Sequence, residues 1–287
     1  KLICSKFKNP EIITINRFSE IFNKRNQSFR AQKSNPALII AKKYNNLLHK
    51  TPVNYGIGNK HNYYFSYMYN CIFDCKYCFL QGLYSSANYV IFINYEDFYK
   101  EIEKISNDNK QEKITLFSGY DCDSLAFEPV SNFMSYLFKK VSKHKNIELE
   151  IRTKSAYTRV FSKNIIKNII VAYSFTPEKF SNKYELGVAS VDKRLNALKK
   201  LSDLGWKLGI RLDPVVVYEG WKEDYLKLFI QIFKNIDIKN IHSVSFGKLR
   251  FPEVIYKKLI KENISESLFF NLVKKKNIYE NNFCEDI

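Results

Sequence analysis

Two hydrophobic periodicities take turns along the chain. Short apolar and aromatic runs read as strands: YYFSYMY (63–69), KITLFSG (113–119), IELEIRT (147–153), NIIVAYSF (168–175), KLGIRLDP (207–214) and IHSVSFG (241–247). Between them lie patterns with the helical repeat, near 95–106, 128–145, 159–167, 190–204 and 221–235. The clearest is SVDKRLNALKKLSDLG, in which Val191, Leu195, Leu198, Leu201 and Leu204 share one face and Gly205 stands where a C-cap belongs. Strands that alternate with helices predict parallel βαβ units. Six such units predict an α/β fold, an open, partial (β/α)6 TIM-like barrel, whose chemistry gathers at the carboxyl ends of the strands. The expected organisation is a basic N-terminal extension (1–60) packed on the barrel, the barrel itself (61–265) and a short C-terminal segment (266–287). The sequence shows no internal repeat, Gly/Ser linker or low-complexity stretch.

Polar residues collect where each predicted strand stops: SGYDCD (118–123), RTKS (152–155), SFTP (174–177), LDP (212–214) and FGKLRF (246–251). Directly after the first strand, NCIFDCKYCFLQG sets Cys71, Cys75 and Cys78 in a C-x3-C-x2-C spacing. Thiolates this close converge on one inorganic centre. Three of them leave one iron of a [4Fe–4S] cluster open to a small molecule. A structural zinc site asks for a fourth ligand, normally from a second Cys or His pair. Cys4, Cys122 and Cys284 are scattered, and the four histidines form no H-x3-5-H. An iron–sulfur cluster is therefore the leading expectation, with zinc or a thiol redox centre as alternatives.

Composition adds a charge argument. Lys and Arg number 46 against 29 Asp and Glu, a net +17. The first fifty residues hold eleven Lys/Arg and two acidic residues, +9 of that excess. A surface that attracts phosphate backbone is one explanation. The other is compositional, since Lys, Asn, Ile, Tyr and Phe abound throughout, as an AT-rich genome produces. Six cysteines, three of them committed to metal, leave no even disulfide framework and point to a reduced, cytoplasmic compartment. No run approaches the 18 or so apolar residues of a membrane span, and KLICSKFKNP does not read as a signal peptide.

Several segments in order, NPALIIAKKY, CIFDCKYCFLQG, DSLAFEP, IRTKS, VDKRLNALKKLSDLGWKLGI and YEGWKEDYLKLF, carry a resemblance. Through them the chain resembles the spore photoproduct lyase family of radical S-adenosylmethionine (SAM) enzymes, from about residue 36 to 265. RLDP and SFGKLRFP look closer to the branch of that family found outside spore formers. The resemblance implies that Cys71, Cys75 and Cys78 ligate the cluster, that SAM fills the open iron site, and that Tyr77 lies beside the cofactor. It implies SAM contacts for Lys154 and Ser174, with Ser118, Gly119 and Cys122 also near the cofactor. A lysine can meet the cofactor carboxylate and a serine hydroxyl its carboxylate or ribose. Each also has a plainer reading, as a solvated loop lysine and a strand-end turn.

Two departures stand out. Where the lyase has a cysteine that returns hydrogen to the product radical, this chain has Tyr120, and Cys122 follows two places on. Two residues along a strand keep the face but move the side chain about 6.6 Å. Either Tyr120 or Cys122 has an X–H bond for that task, and a packed tyrosine and a buried thiol are the alternative. Phe79 replaces a tyrosine of the lyase's radical relay. The segment after 265 lacks the lyase's Arg-Tyr hairpin that grips the lesion. Arg211, Asp213, Tyr218, Lys248 and Arg250 are the remaining substrate candidates.

The resulting expectation is a radical SAM enzyme, lyase-like, that cleaves SAM to a 5′-deoxyadenosyl radical and abstracts hydrogen from a damaged or modified pyrimidine in DNA. Two alternatives stand: the same chemistry on RNA, a nucleotide or a peptide, and a non-catalytic iron–sulfur protein that binds nucleic acid. Expected partners are DNA or another nucleic acid and an external electron donor of flavodoxin or ferredoxin type, with no membrane.

Overall fold

The computed structural model describes residues 2–53, 55–263 and 267–281. Cys284 lies outside them. The chain forms two compact units. The first holds the residues up to Ile72, Ser86–Arg152 and Ile166–Ile169; the second holds Phe73–Ser85, Thr153–Ile165 and the chain from Ile170 on.

In the first unit, strands His61–Tyr64, Ile114–Ser118 and Ile147–Thr153 (all but its last residue) run parallel, with Tyr64 opposite Phe117 and Phe117 opposite Glu150. His49–Lys50 adds an antiparallel edge. Strand Ile114–Ser118 is buried along its whole length, as expected when helices cover a parallel sheet. Helix Tyr95–Asp108 buries Phe98, Tyr99, Ile102 and Ser106, one stripe at helical spacing.

The predicted strand over 63–69 is two strands in two sheets. Phe65 N–H still bonds Phe117 O at 3.2 Å, and Phe92 N–H bonds Tyr67 O at 2.9 Å, so the chain changes sheets within three residues. Beyond that switch, Met68–Tyr69 pairs with Tyr89–Phe92, whose other edge is Leu38–Ala41 from the basic extension. The buried side chains of Phe65 and Tyr67 keep the hydrophobic run unbroken across the switch, which is why periodicity alone reads it as one strand. The predicted helix over 128–145 is likewise two helices, Glu128–Ser131 and Phe133–Val141, parted by Asn132 at φ 53°. The buried carboxylate of Glu128 accepts the N–H groups of Met134 (2.9 Å) and Ser135 (2.8 Å), capping the second helix.

In the second unit, Ile169–Ser174 (all but its first residue), Lys207–Val215 and Ile241–Lys248 run parallel, with Arg211 opposite both Ser174 and Ser245. Helix Val191–Asp203 is capped by Ser190, whose Oγ accepts Lys193 N–H at 3.3 Å. It buries the predicted Val191, Leu195, Leu198 and Leu201, and also Arg194. Helix Trp221–Lys234 agrees with expectation. Residues 159–167 form turns instead of the expected helix. There Ser162 Oγ accepts Asn164 N–H at 3.2 Å, and Ser162 O accepts the indole N–H of Trp206 at 3.1 Å, which ties the backbone in a non-helical path.

The C-terminal part forms helix Glu253–Glu262 and an antiparallel sheet of Arg250–Pro252, Ile278–Asn281 and Leu272–Lys275. A hairpin therefore does occur after 265, formed by Leu272–Lys275 and Ile278–Asn281. Among the described residues no helix is long and apolar enough to cross a membrane.

Candidate functional site

The most densely bonded polar group of the second unit is Glu185, a residue the sequence does not flag. Its side chain is wholly buried. Oε1 accepts from Lys154 Nζ at 2.7 Å, from Thr176 Oγ1 at 2.9 Å and from the Tyr77 hydroxyl. Oε2 accepts from Ser181 Oγ and from an Arg194 guanidinium N–H, both at 2.8 Å. Arg194 also donates to Ser174 O at 2.9 Å and to Ser181 Oγ at 2.7 Å, and is 0% exposed. Burial alone would raise the Glu185 pKa, but the cations Lys154 and Arg194 overcome it and hold the carboxyl well below its usual range. Lys154 is pushed above its ordinary value, burial opposing and Glu185 prevailing. Burial, then the Glu185 charge, pushes the Tyr77 phenol up.

Tyr77, Lys154 and the backbone of Ser174, three positions that sequence reasoning singled out, thus meet in one network. Lys154 donates to the Tyr77 hydroxyl and also sits 4.7 Å from its ring centroid. The signal for Arg194 was legible, because a charged residue flanked by Val191 and Leu195 lies on the apolar face of an amphipathic helix. Glu185, inside KYELG, carries no such mark.

Cys75 and Cys78 lie on one turn, closed by Cys78 N–H to Cys75 O at 2.9 Å. Gln81, from the following Leu80–Leu83 helix, ties that turn by donating to Cys75 O at 2.8 Å and Asp74 Oδ1 at 3.0 Å. Cys71 belongs to the first unit. Cys4, Cys71, Cys75, Cys78 and Cys122 all lie outside any disulfide. Among the described residues, no three His, Cys, Asp or Glu side chains are already gathered as a metal-holding group. The donor set fits an iron–sulfur cluster by its chemistry, soft thiolates at close spacing with two on one turn.

In the first unit, the segment after strand Ile114–Ser118 makes a tight bend. Gly119 has φ +76°, and a Cβ there would lie 2.5 Å from Ser124 Oγ. Ser118 Oγ bonds Ser124 Oγ at 2.7 Å and Glu150 O at 2.8 Å, so its hydroxyl serves the bend. Tyr120 is half-buried and stacks on Tyr64 with ring centroids 4.1 Å apart; Tyr64 in turn stacks on His49 at 4.9 Å. Cys122 is buried, and burial, with smaller effects from Cys71 and Asp121, pushes its thiol well up. Beside this bend lie buried Asp121, which accepts from Ser66 Oγ, and buried Lys43, whose Nζ reaches Ser66 O at 3.4 Å. Burial lowers the Lys43 pKa, and Asp121 partly offsets it. Sequence reasoning missed both.

The substrate candidates separate. Arg211 is 0% exposed and donates to Ser243 Oγ at 2.9 Å and Ser243 O at 3.1 Å. Asp213 is half-buried. Tyr218 bonds Asp224 Oδ2 at 3.1 Å and stacks on Phe180. Lys248 pairs with Glu280 at 3.7 Å, and Arg250 is exposed on the C-terminal sheet.

Known proteins give this geometry a family. The spore photoproduct lyase family model matches residues 53–279. The spore photoproduct lyase of a Geobacillus species is 21% identical over 178 residues, 61% of this chain and 52% of that protein. The Bacillus subtilis enzyme is 21% identical over 197 residues, 67% and 57% respectively. The chain thus spans little more than half the length of these relatives. A solved spore photoproduct lyase double mutant with bound AdoMet and dinucleoside spore photoproduct superposes with a TM-score of 0.76 at 18% identity, over 90% of this chain and 76% of that one. A further lyase, complexed with dinucleoside spore photoproduct, gives 0.72 at 17% identity over the same shares. At such identities the likeness establishes the fold, an α/β partial TIM-like barrel. With most of its length matched by one family model, the chain belongs to the spore photoproduct lyase family of the radical SAM superfamily.

Proposed function

We propose that this chain is a radical SAM enzyme that acts on a damaged or modified pyrimidine in DNA. The observation that carries the reading is the C-x3-C-x2-C set of Cys71, Cys75 and Cys78 inside a family match running from 53 to 279. The solved relative of the same fold that holds both AdoMet and the dinucleoside lesion supports it. When bound, the [4Fe–4S] cluster and SAM supply one-electron cleavage of SAM and a 5′-deoxyadenosyl radical that takes hydrogen from the substrate.

The chain's own residues have these tasks. Cys71, Cys75 and Cys78 hold the cluster. Lys154, aimed by Glu185, meets the SAM carboxylate; Ser174, Ser118 and Gly119 border the cofactor, and Tyr77 lies alongside. Tyr120 returns hydrogen: its O–H breaks as the product C–H forms, and the phenoxyl oxygen recovers an electron from the external donor and a proton from solvent. Partial exposure favours Tyr120 over Cys122, whose thiol is packed. Asp213, Tyr218, Lys248, Arg250 and the basic extension serve the nucleic acid, whereas Arg211, 0% exposed and bonded to Ser243, is a structural group and drops out of that set. A lesion within a duplex leaves its stack to reach a barrel mouth, at a cost of a few kcal/mol that damage lowers.

Phe79 and Tyr120 in place of the relay tyrosine and donor cysteine favour a second reading, the same radical chemistry on a different substrate. Anaerobically reconstituted, reduced protein should form 5′-deoxyadenosine from SAM; none formed would sink both readings. Formation without repair of spore-photoproduct DNA would sink the spore-photoproduct lyase assignment only. Tyr120→Phe should abolish product while Cys122→Ala retains it, and the reverse pattern would move the donor role to Cys122.

A further inference from the structure

The basic extension reaches the cysteine segment through one short helix, Phe29–Lys33, with Ser28 at its N-cap and Phe29 buried beneath it. Its last two residues meet the two points where the chain leaves and re-enters the first unit, at Ile72 and Ser86. Lys33 Nζ donates to Cys71 O at 2.7 Å, and lies 3.5 Å from Ile72 O and 3.3 Å from the Tyr89 hydroxyl. Gln32 Oε1 accepts from Ser86 Oγ at 2.9 Å and from Ala87 N–H at 3.0 Å. The same two stems are joined to each other by Asn70, buried and at φ +64°, whose amide donates to Ser86 O (2.7 Å) and Asn88 O (2.8 Å). Asn88 Oδ1 closes the set by accepting Ala37 N–H at 2.9 Å.

A lysine that serves a phosphate backbone turns its ammonium to solvent. Lys33 instead commits its ammonium to the carbonyl of a cysteine. We propose that Gln32 and Lys33 form a clasp on the cysteine segment, in which the Lys33 ammonium on the Cys71 carbonyl raises the reduction potential of the cluster. This rests on the reading of Cys71, Cys75 and Cys78 as cluster ligands. Net charge, hydrogen bonding and solvent exposure around the ligands set the potential of such clusters. A positive charge bonded to a ligand residue favours the state with one more electron. Lys33 is half-buried, so solvent screens that charge only in part. Its role is to position and tune a ligand; it is not a group that touches substrate.

The test compares wild type with Lys33→Gln, which keeps a donor but drops the charge, and with Lys33→Arg, which keeps both. After anaerobic reconstitution, iron is counted and the midpoint potential is read by an EPR-monitored redox titration. Lys33→Gln should lower the ratio of reduced to oxidised cluster about tenfold at a given potential, a shift of about 59 mV to the negative for a one-electron couple. Lys33→Arg should titrate with wild type. In cluster-free protein, Gln32→Ala and Lys33→Gln should both speed amide hydrogen exchange at residues 69–76 and 84–88. A Lys33→Gln midpoint equal to wild type at full iron content would overturn the proposal while leaving the cluster reading intact, as would an equal shift in Lys33→Arg. Wild-type protein that takes up no iron removes the cluster reading and the proposal with it, a result visible before any variant is compared.

Discussion

Replacing Glu185 by Gln tests the polar network of the second unit most directly. The substitution keeps the shape but removes the charge, and it turns one acceptor oxygen into a donor. Five donors converge on that carboxylate: Lys154, Thr176, Tyr77, Ser181 and Arg194. Arg194 is 0% exposed and Lys154 only 14% exposed on its side chain, so neither cation escapes readily to water. Breaking a buried pair by removing one partner costs about 3–5 kcal/mol, because the other charge stays buried without compensation. With a urea m-value of about 3 kcal/mol/M, that loss lowers the unfolding midpoint by about 1–2 M. The double variant Glu185→Gln/Arg194→Met should recover part of it, since the stranded guanidinium is gone, and the cycle of four proteins isolates the pair. The pH dependence has a definite sign. The folded carboxyl titrates below its unfolded value of about 4.3. Its stabilisation is therefore complete above that value and is lost as pH falls through the folded pKa. The gap between wild type and Glu185→Gln should be flat from neutral pH down to about 5 and should narrow in stronger acid. A midpoint at pH 7 indistinguishable from wild type, or a gap that widens in acid, would refute the reasoning.

Other expectations are simpler. Gly119→Ala places a side chain at φ +76° and within 3.1 Å of the Cys122 and Arg152 carbonyl oxygens; it should destabilise by about 1–3 kcal/mol in urea unfolding, and a neutral result would mean that the bend after Ser118 is not as described. Lys24 and Arg25 are exposed in the basic extension. Neutralising both to Gln should weaken DNA binding across sequences and flatten the slope of log K against log salt by about 1 for each phosphate no longer neutralised. An unchanged slope would assign the positive charge of that stretch to composition.

What was legible in the sequence follows the physics of periodicity. Strand Ile169–Ser174, buried from end to end, stands out as an apolar run, Ile147–Thr153 as an alternation of apolar and polar residues, and helix Val191–Asp203 shows its face in the spacing of leucines. Periodicity failed where a single side chain redirected the backbone. Asn132 at positive φ broke one helix, Ser162 captured another segment as a turn, and the Phe65–Tyr67 stretch passed between sheets without a change in hydropathy. At the site, the cysteine spacing was visible because the three thiols are close neighbours in the sequence. Glu185 was not visible, because its partners come from positions 77, 154, 176, 181 and 194 and only the fold assembles them. Lys43 stands in a basic stretch that reads as solvated, yet its ammonium lies over the Tyr69 and Phe92 rings.

The parallel pairing of Leu38–Ala41 with Tyr89–Phe92 gives the basic extension a second meaning. An arm evolved only to hold nucleic acid could be trimmed at the cost of affinity alone. Here trimming past Ala41 would strip an edge strand and leave Tyr89–Phe92, three of whose four residues are buried, with a row of unpaired amides and carbonyls. Such an edge recruits strands from other molecules. Shortened forms of this chain would therefore be expected to aggregate, so the extension acts first as a guard on a sheet edge.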